Sequence, residues 1–338
     1  MRIWFAIGLF FLLPGFSLRA QDYQFSQFYA LPLYYNPAFA GANLNSRAVA
    51  AYRSQWSGLR GWKGWASSFD WYLKNASSGA GLYLSRNFIS QLGYGQTSGM
   101  LQYAYRARWR KDIRVSFGVG LGFTQYSWNP GQGLMGDQLE KDNTPLRSED
   151  PLAAGGGLSA GMFDMQIGIL FYSKTWWAAL SGLHPHSPTY MLTNENSLEP
   201  RINLSGGYRF ELEKPVDYKN QEIPVSLTPA LLIRSQGNSS QLDLGLYYHR
   251  PPFVTGIWYR GLPIPVTALK VLNQDACTLL AGIKQNNLTI GYSYDVPANG
   301  VAPVTGGSHE ITLTYEFNTR YLSLKGKSHP RGLPCPTF

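Results

Sequence analysis

From Ile113 to Thr124 the chain alternates without interruption. Ile113, Val115, Phe117, Val119, Leu121 and Phe123 share one face of an extended chain, and Arg114, Ser116, Gly118, Gly120, Gly122 and Thr124 share the other. Successive side chains of a strand point to opposite faces, so a period of two predicts a strand with one apolar face. The run is about twice the usual strand of five or six residues. It matches the roughly 9–11 residues of a tilted strand that crosses a bilayer.

The same period returns along the chain. Leu101, Tyr103, Tyr105, Ala107 and Trp109 oppose Gln102, Ala104, Arg106 and Arg108. Phe163 to Phe171, Ile202 to Phe210, Leu242 to Tyr248, Leu288 to Tyr294 and Ile311 to Phe317 repeat it. Shorter candidates cover 47–55, 64–73, 79–86, 175–183, 225–234, 253–260 and 275–284. The expected fold is all-β, a transmembrane antiparallel barrel of about fourteen strands, whose closure leaves no unpaired edge in lipid. Its outer face is apolar, and its interior is small, polar or charged. Arg106, Arg108, Arg114, Asp164, Arg209 and Asp243 are assigned to that interior, as the lining of a channel or as ion pairs in a filled lumen.

Composition agrees with this class. Charged residues are only 14% of the 338, aromatics are 14%, and there are 36 Gly and 21 Pro. That profile excludes coiled coils and disordered chains. The mean hydropathy of −0.20 excludes a bundle of membrane helices. The net charge of +9 is scattered rather than gathered in a stripe, so no nucleic acid is expected as a partner. Basic residues near aromatic girdles fit outer-membrane lipid headgroups.

The N-terminus reads as a secretory signal over 1–20. Arg2 precedes the apolar run Ile3 to Leu13, which is too short to span, and cleavage is expected after Ala20. The domain plan is then a periplasmic or plug-like segment over 21–46, an outer-membrane barrel over 47–317 and a basic tail over 318–338. Connections should alternate in length, with short turns at the periplasmic end. The turns 74–78, 110–112, 172–174, 250–252 and 285–286 are the short set. The segments 56–63, 87–96, 128–153, 184–200, 261–274 and 296–307 are the long one. The charged stretch 211–224 and the short stretch 235–240 break the rule.

Three motifs invite chemistry. Gly157-Leu158-Ser159-Ala160-Gly161 has the spacing of a nucleophile elbow, but that elbow is a strand-to-helix turn, and here the pattern opens a strand. His184-Pro185-His186 offers two imidazoles with no carboxylate nearby before Glu195. The glycines of Gly118 to Gly122 lack a dinucleotide-binding spacing and instead leave room inside the barrel. No catalytic residue, metal or cofactor is expected. Cys277 and Cys335 form no disulfide framework.

The segments outside the barrel carry a resemblance. Gln24-Phe25-Ser26-Gln27-Phe28-Tyr29 and then Tyr35-Asn36-Pro37-Ala38-Phe39-Ala40-Gly41 resemble the N-terminal signature of the PorP/SprF family. Arg47, Tyr52-Arg53-Ser54-Gln55-Trp56, Ser68-Phe69-Asp70, Tyr292-Ser293-Tyr294-Asp295 and His309-Glu310 are similar to further family segments. The resemblance implies an outer-membrane barrel of the Bacteroidota type IX secretion and gliding machinery. It implies no enzyme, but an accessory or anchor for secretion or surface attachment of cargo. The implied partners are a secreted adhesin or other cargo with a C-terminal sorting domain, and a periplasmic peptidoglycan-associated lipoprotein. Gln24, Phe25, Gln27, Tyr29, Tyr35, Asn36, Pro37, Phe39 and Gly41 form the candidate partner-binding or plug segment. Tyr52, Arg53, Trp56, Phe69, Asp70, Tyr292, Tyr294, Asp295, His309 and Glu310 are the candidate barrel residues. The rival readings are an outer-membrane channel, a hydrophobic-solute transporter, and a hydrolase using Ser159.

Overall fold

The alternating stretches are strands in the computed structural model, which describes residues 22–59, 61–73, 76–129, 157–188, 197–213, 216–218, 221–223, 225–237, 239–261, 274–298 and 302–317. The expected signal segment 1–20, the expected basic tail 318–338 and most of the expected 128–153 loop lie outside these residues.

Fourteen antiparallel strands close into a barrel. In chain order they are β1 Ser46–Gln55, β2 Lys63–Leu73, β3 Ser78–Ile89, β4 Tyr94–Arg108, β5 Arg114–Trp128, β6 Leu158–Tyr172 and β7 Trp176–Leu183. Strand β8 runs Arg201–Tyr208 and resumes as Phe210–Glu211 after a break at Arg209. The ring continues with β9 Ser226–Gln236, β10 Ser239–Arg250, β11 Phe253–Gly261, β12 Gln274–Gln285, β13 Leu288–Pro297 and β14 Ser308–Phe317. Each strand pairs with its neighbours in sequence, and β14 pairs with β1 in a register that sets Leu313 against Ala50. Every wall strand therefore has two partners, which is what satisfies backbone polar groups in lipid.

The period of two sets which way side chains face. On β5, Phe117, Val119, Leu121 and Phe123 are 49–56% exposed on the outer wall, while Ser116, Gly118, Gly120 and Thr124 are buried on the inner one. The same parity leaves Leu101, Tyr103, Ile202, Leu204, Ile311 and Leu313 outside and buries Gln102, Asn203, Glu310 and Thr312. The barrel is thus apolar outside and polar inside, the reverse of a water-soluble barrel.

Three connections differ from the length rule for physical reasons. The β9–β10 connection spans only residues 237–238, because its ladder continues to the pair Gln236 and Ser239. The expected long segment 87–96 is a four-residue turn, because the β3–β4 ladder continues to the pair Ile89 and Tyr94. Alternation fades there as the strands leave the apolar zone, although their hydrogen bonds do not. The long stretch after β8 contains a small hairpin, Val216–Tyr218 with Gln221–Ile223, and does not disturb the strand count.

Residues 22–45 lie inside the ring. They include one four-residue helical turn, Pro32–Tyr35, and a 3-10 turn, Pro37–Phe39, whose cap Asn36 accepts from Ala38 N–H at 2.8 Å. Phe25, Ala30, Leu31, Leu33, Ala38 and Ala40 are at most 1% exposed. Asp22 begins the segment beside Gln236, at the end of the barrel that carries the long connections. Gly41 ends it beside Asp70, near the short turns where β1 starts. The segment therefore runs the length of the lumen. Inner-wall glycines make room for it: a Cβ on Gly118 would lie 2.2 Å from Ala38 N, and one on Gly79 would lie 2.1 Å from Ala40 O.

Two substitutions separate the faces. Leu121→Arg on the outer wall is expected to cost about 2–4 kcal/mol, measured as urea-dependent folding into phospholipid vesicles, whereas Leu121→Phe should leave stability nearly unchanged. Gly118→Val should loosen residues 22–45 while the wall still forms, seen as faster proteolysis near Phe39 with heat-resistant strand content retained.

Candidate functional site

Buried charge organises the lumen. Parity turns one ionic side chain inward from each of several neighbouring strands, and the register brings them to a common height. Asp243 of β10 pairs with Arg234 of β9 and lies 3.8 Å from Arg260 of β11. Arg260 also lies 3.4 Å from Asp295 of β13, which binds Arg53 of β1 at 2.6 Å. Arg53 lies 3.3 Å from Glu310 of β14, and Thr278 of β12 donates to Asp295 at 2.7 Å. A band of alternating charge thus crosses the seven strands β9 to β14 and β1. Each of these ionic side chains is at most 6% exposed, so each depends on its neighbour to offset desolvation.

The luminal segment binds to this band through its own backbone. Glu310 accepts from Ser26 N–H at 2.7 Å and from Gln27 N–H at 2.9 Å. The Ser26 hydroxyl donates to Asp295 at 2.7 Å and accepts from Arg260 at 2.9 Å and from Arg53. The Gln27 carboxamide donates to Ser293 Oγ and Glu310 O, and its oxygen accepts from Thr312 at 2.7 Å. Irregular backbone inside a barrel has no ladder to join, so polar side chains of the wall must satisfy it.

The remaining walls do the same further along. Gln102 of β4 donates to Leu33 O, Ser116 of β5 to Ala38 O, and Ser181 of β7 to Tyr35 O, at 2.8, 2.8 and 2.6 Å. Asn203 of β8 also donates to Tyr35 O, and Asn36 donates to Leu180 O, both at 3.1 Å. Within the segment, the Tyr35 hydroxyl donates to Phe25 O at 2.8 Å. At the short-turn end, Asp70 pairs with Arg47 at 3.0 Å and accepts from Gly41 N–H at 3.2 Å, while Arg106 donates to Gly41 O.

A further lock holds the start of the segment. The imidazole of His184 lies between Asp22, 3.0 Å from Nε2, and Asp164, 2.7 Å from Nδ1. Arg201 reaches the same Asp22 oxygen at 3.1 Å. Burial alone would lower the His184 pKa, but the two carboxylates outweigh it and push it up to about 9. Burial would likewise raise the Asp22 pKa, and His184 and Arg201 hold it well below the usual carboxylate range.

The residues singled out from the motifs separate into three places. Phe25, Gln27, Tyr29, Tyr35, Asn36, Pro37, Phe39 and Gly41 are buried in the lumen, with Gln24 half-buried at its mouth. Arg53, Asp70, Asp295 and Glu310 are the inward residues that bind the segment. Tyr52, Phe69 and Tyr292 face outward at 43, 39 and 46% exposure. Half-buried His309 takes part in a 2.7 Å hydrogen bond with the outward Tyr292 hydroxyl and stacks with half-buried Tyr294. Trp56 lies in the connection after β1.

Of the charges assigned to the interior, Arg106, Asp164 and Asp243 are buried, Arg114 and Arg209 are half-buried, and Arg108 is exposed at the end of β4. Arg108 is therefore not a luminal residue: its strand has already left the apolar zone. His184 and His186 diverge, the latter reaching Phe163 O at 3.0 Å, so they do not share a ligand. Ser159 sits within continuous strand β6 opposite Ser127, without the strand-to-helix turn of a nucleophile elbow. Asp22, Arg201, Arg234 and Arg260 were not singled out. Inward parity was the one signal available for the three arginines, and it does not say which of them meet.

These features define a membrane β-barrel whose lumen is occupied by its own N-terminal segment. The chain belongs to the PorP/SprF family of type IX secretion system membrane proteins, whose model matches residues 17–315. Among solved structures it is similar to the P. putida toluene transporter TodX, at 10% identity over 84% of this chain and 93% of that one, with a TM-score of 0.47. It is also similar to the KdgM porin, at 7% identity over 80% and 99% of the chains (TM-score 0.37). A third likeness is to BamA from Haemophilus ducreyi lacking POTRA domains 1-3, at 9% identity over 80% and 70% (TM-score 0.37). No curated protein sequence matches the chain.

Two predictions follow from the locks. Glu310→Gln should destabilise the folded barrel by about 3 kcal/mol, because it weakens acceptance from two amides and leaves Arg53 short of a counter-charge; urea unfolding in detergent micelles measures this. The His184 pKa is higher in the folded state than its ordinary value of 6.5. Its stabilisation is therefore complete below 6.5 and is lost as pH rises through about 9. The difference in melting temperature between the wild-type protein and His184→Gln should shrink over that interval.

Proposed function

We propose that the chain is a non-catalytic outer-membrane barrel that acts as an accessory or anchor for secretion or surface attachment of type IX cargo, such as gliding adhesins. The observation that carries this reading is the occupied lumen. Residues 22–45 are hydrogen-bonded to the inner wall from β1 around to β14, and a polypeptide fixed in this way blocks free diffusion along the barrel axis. A filled barrel suits a docking platform better than a pore.

Membership of the secretion family supports a cargo protein with a C-terminal sorting domain as the partner at the outer face. The described residues 56–59 and 184–188, which follow β1 and β7, lie at one end of the barrel and provide surface for it. A periplasmic peptidoglycan-associated lipoprotein is the proposed partner at the short-turn end, where exposed Arg108, Arg110, Lys111, Glu211 and Glu213 supply charge.

Deletion of the gene should leave bulk secretion largely intact and remove one adhesin from the cell surface, read by surface proteomics. Unchanged display of every cargo sinks the proposal. In planar bilayers the purified wild-type protein should be nearly silent, and a variant lacking residues 22–40 should conduct. Porin-like conductance by the wild-type protein would favour the channel reading instead.

A further inference from the structure

We propose that the mouth of the barrel at the long-connection end is a binding site for a neutral oligosaccharide. A cavity of about 420 Å3 opens there, within the roughly 300–1,000 Å3 of small-molecule sites. Asp22, Tyr23 and Gln24 of the luminal segment line it, together with the ends of β1, β4, β5, β10 and β11.

One part of the lining is aromatic. Tyr23, Trp62, Tyr94 and Tyr126 follow one another with ring centroids 6.0, 5.4 and 6.4 Å apart. Such rings offer flat apolar faces with polar edges. Another part is built of neutral amides, the carboxamides of Gln24, Gln55, Gln96 and Gln241. A carboxamide both donates and accepts, as a sugar hydroxyl does. A pyranose presents this combination in return, with C–H faces that stack on rings and a rim of hydroxyls that meets amides.

Charge and polarity narrow the class further. Arg53 and Arg260 border the cavity but are already matched by Asp295, Glu310 and Asp243, and Asp22 is matched by His184 and Arg201. Among the described lining residues an anionic ligand therefore meets no uncompensated cation. An apolar solute would strip water from the amides and return no hydrogen bond. What remains is a neutral, polyhydroxylated molecule with flat faces.

Trp56 supplies an independent observation. It lines the cavity and is 41% exposed, yet its backbone is held at φ +55°, a region that bulky residues rarely enter. The N–H groups of Leu59 and Gly61 both donate to its carbonyl, at 2.9 and 3.2 Å, and fix the turn. A strained backbone that aims an indole at a cavity edge is the kind of outlier found at ligand contacts.

The test uses the full mature barrel in detergent micelles and is separate from any cargo measurement. Maltotriose, cellotriose and triacetylchitotriose are each titrated, with tryptophan fluorescence and saturation-transfer NMR as readouts. At least one should bind saturably, and Trp62→Ala should raise its Kd about tenfold. Trp62 also packs on the luminal core, so two milder variants accompany it. Trp56→Gly relieves the backbone and should keep or improve resistance to heat while raising Kd several-fold. Gln55→Ala should weaken binding with melting unchanged. The proposal is overturned if none of the three sugars binds, if Trp56→Gly and Gln55→Ala leave Kd unchanged, or if trigalacturonate or toluene binds in their place.

Discussion

A carboxylate taken out of water must be met by a cation or by neutral N–H or O–H donors, and in this barrel Glu310 and Asp295 are met by both. One side of each faces wall arginines, and the other faces Ser26 and Gln27 of the luminal segment. Wall and segment are therefore incomplete without each other. Removing the segment would leave two carboxylates short of donors and a row of inward polar side chains with nothing to bind.

The apolar core follows the same logic. In a water-soluble barrel the wall alone would supply it, but here most of the large apolar wall residues face outward. The buried apolar side chains of the lumen come from segment and wall together, with Phe28, Tyr29 and Tyr34 packed against inner-wall Trp258, Tyr247 and Tyr83. Small wall residues and large segment residues are thus complementary. Gly79 and Gly118 are small because the backbone near Ala40 and Ala38 occupies the space a side chain would need. A barrel filled in this way by its own chain presents its two ends, rather than an open axis, to the surroundings.

Legibility in the sequence differed by scale. The strands, their facing and their approximate number could be read, because alternation is local and the lipid face demands it. The importance of Gln27, Asn36, Arg53, Asp70, Asp295 and Glu310 could be suspected from their motif segments. Their division of labour could not: Arg53 and Tyr52 are adjacent in the chain, yet one binds the luminal segment and the other faces outward. The His184 lock was equally hidden, since Asp22 lies 162 residues away and Asp164 lies on a different strand.

Periodicity alone determined that this chain forms long amphipathic strands with greasy side chains outward, because the direction of each side chain depends only on its own backbone and its neighbours. The tertiary structure alone decided the path of residues 22–45, the partners of each buried ion and the shape of the mouth. Those depend on which strands meet around the ring and at what register, and on contacts between residues hundreds of positions apart, which leave no periodic trace.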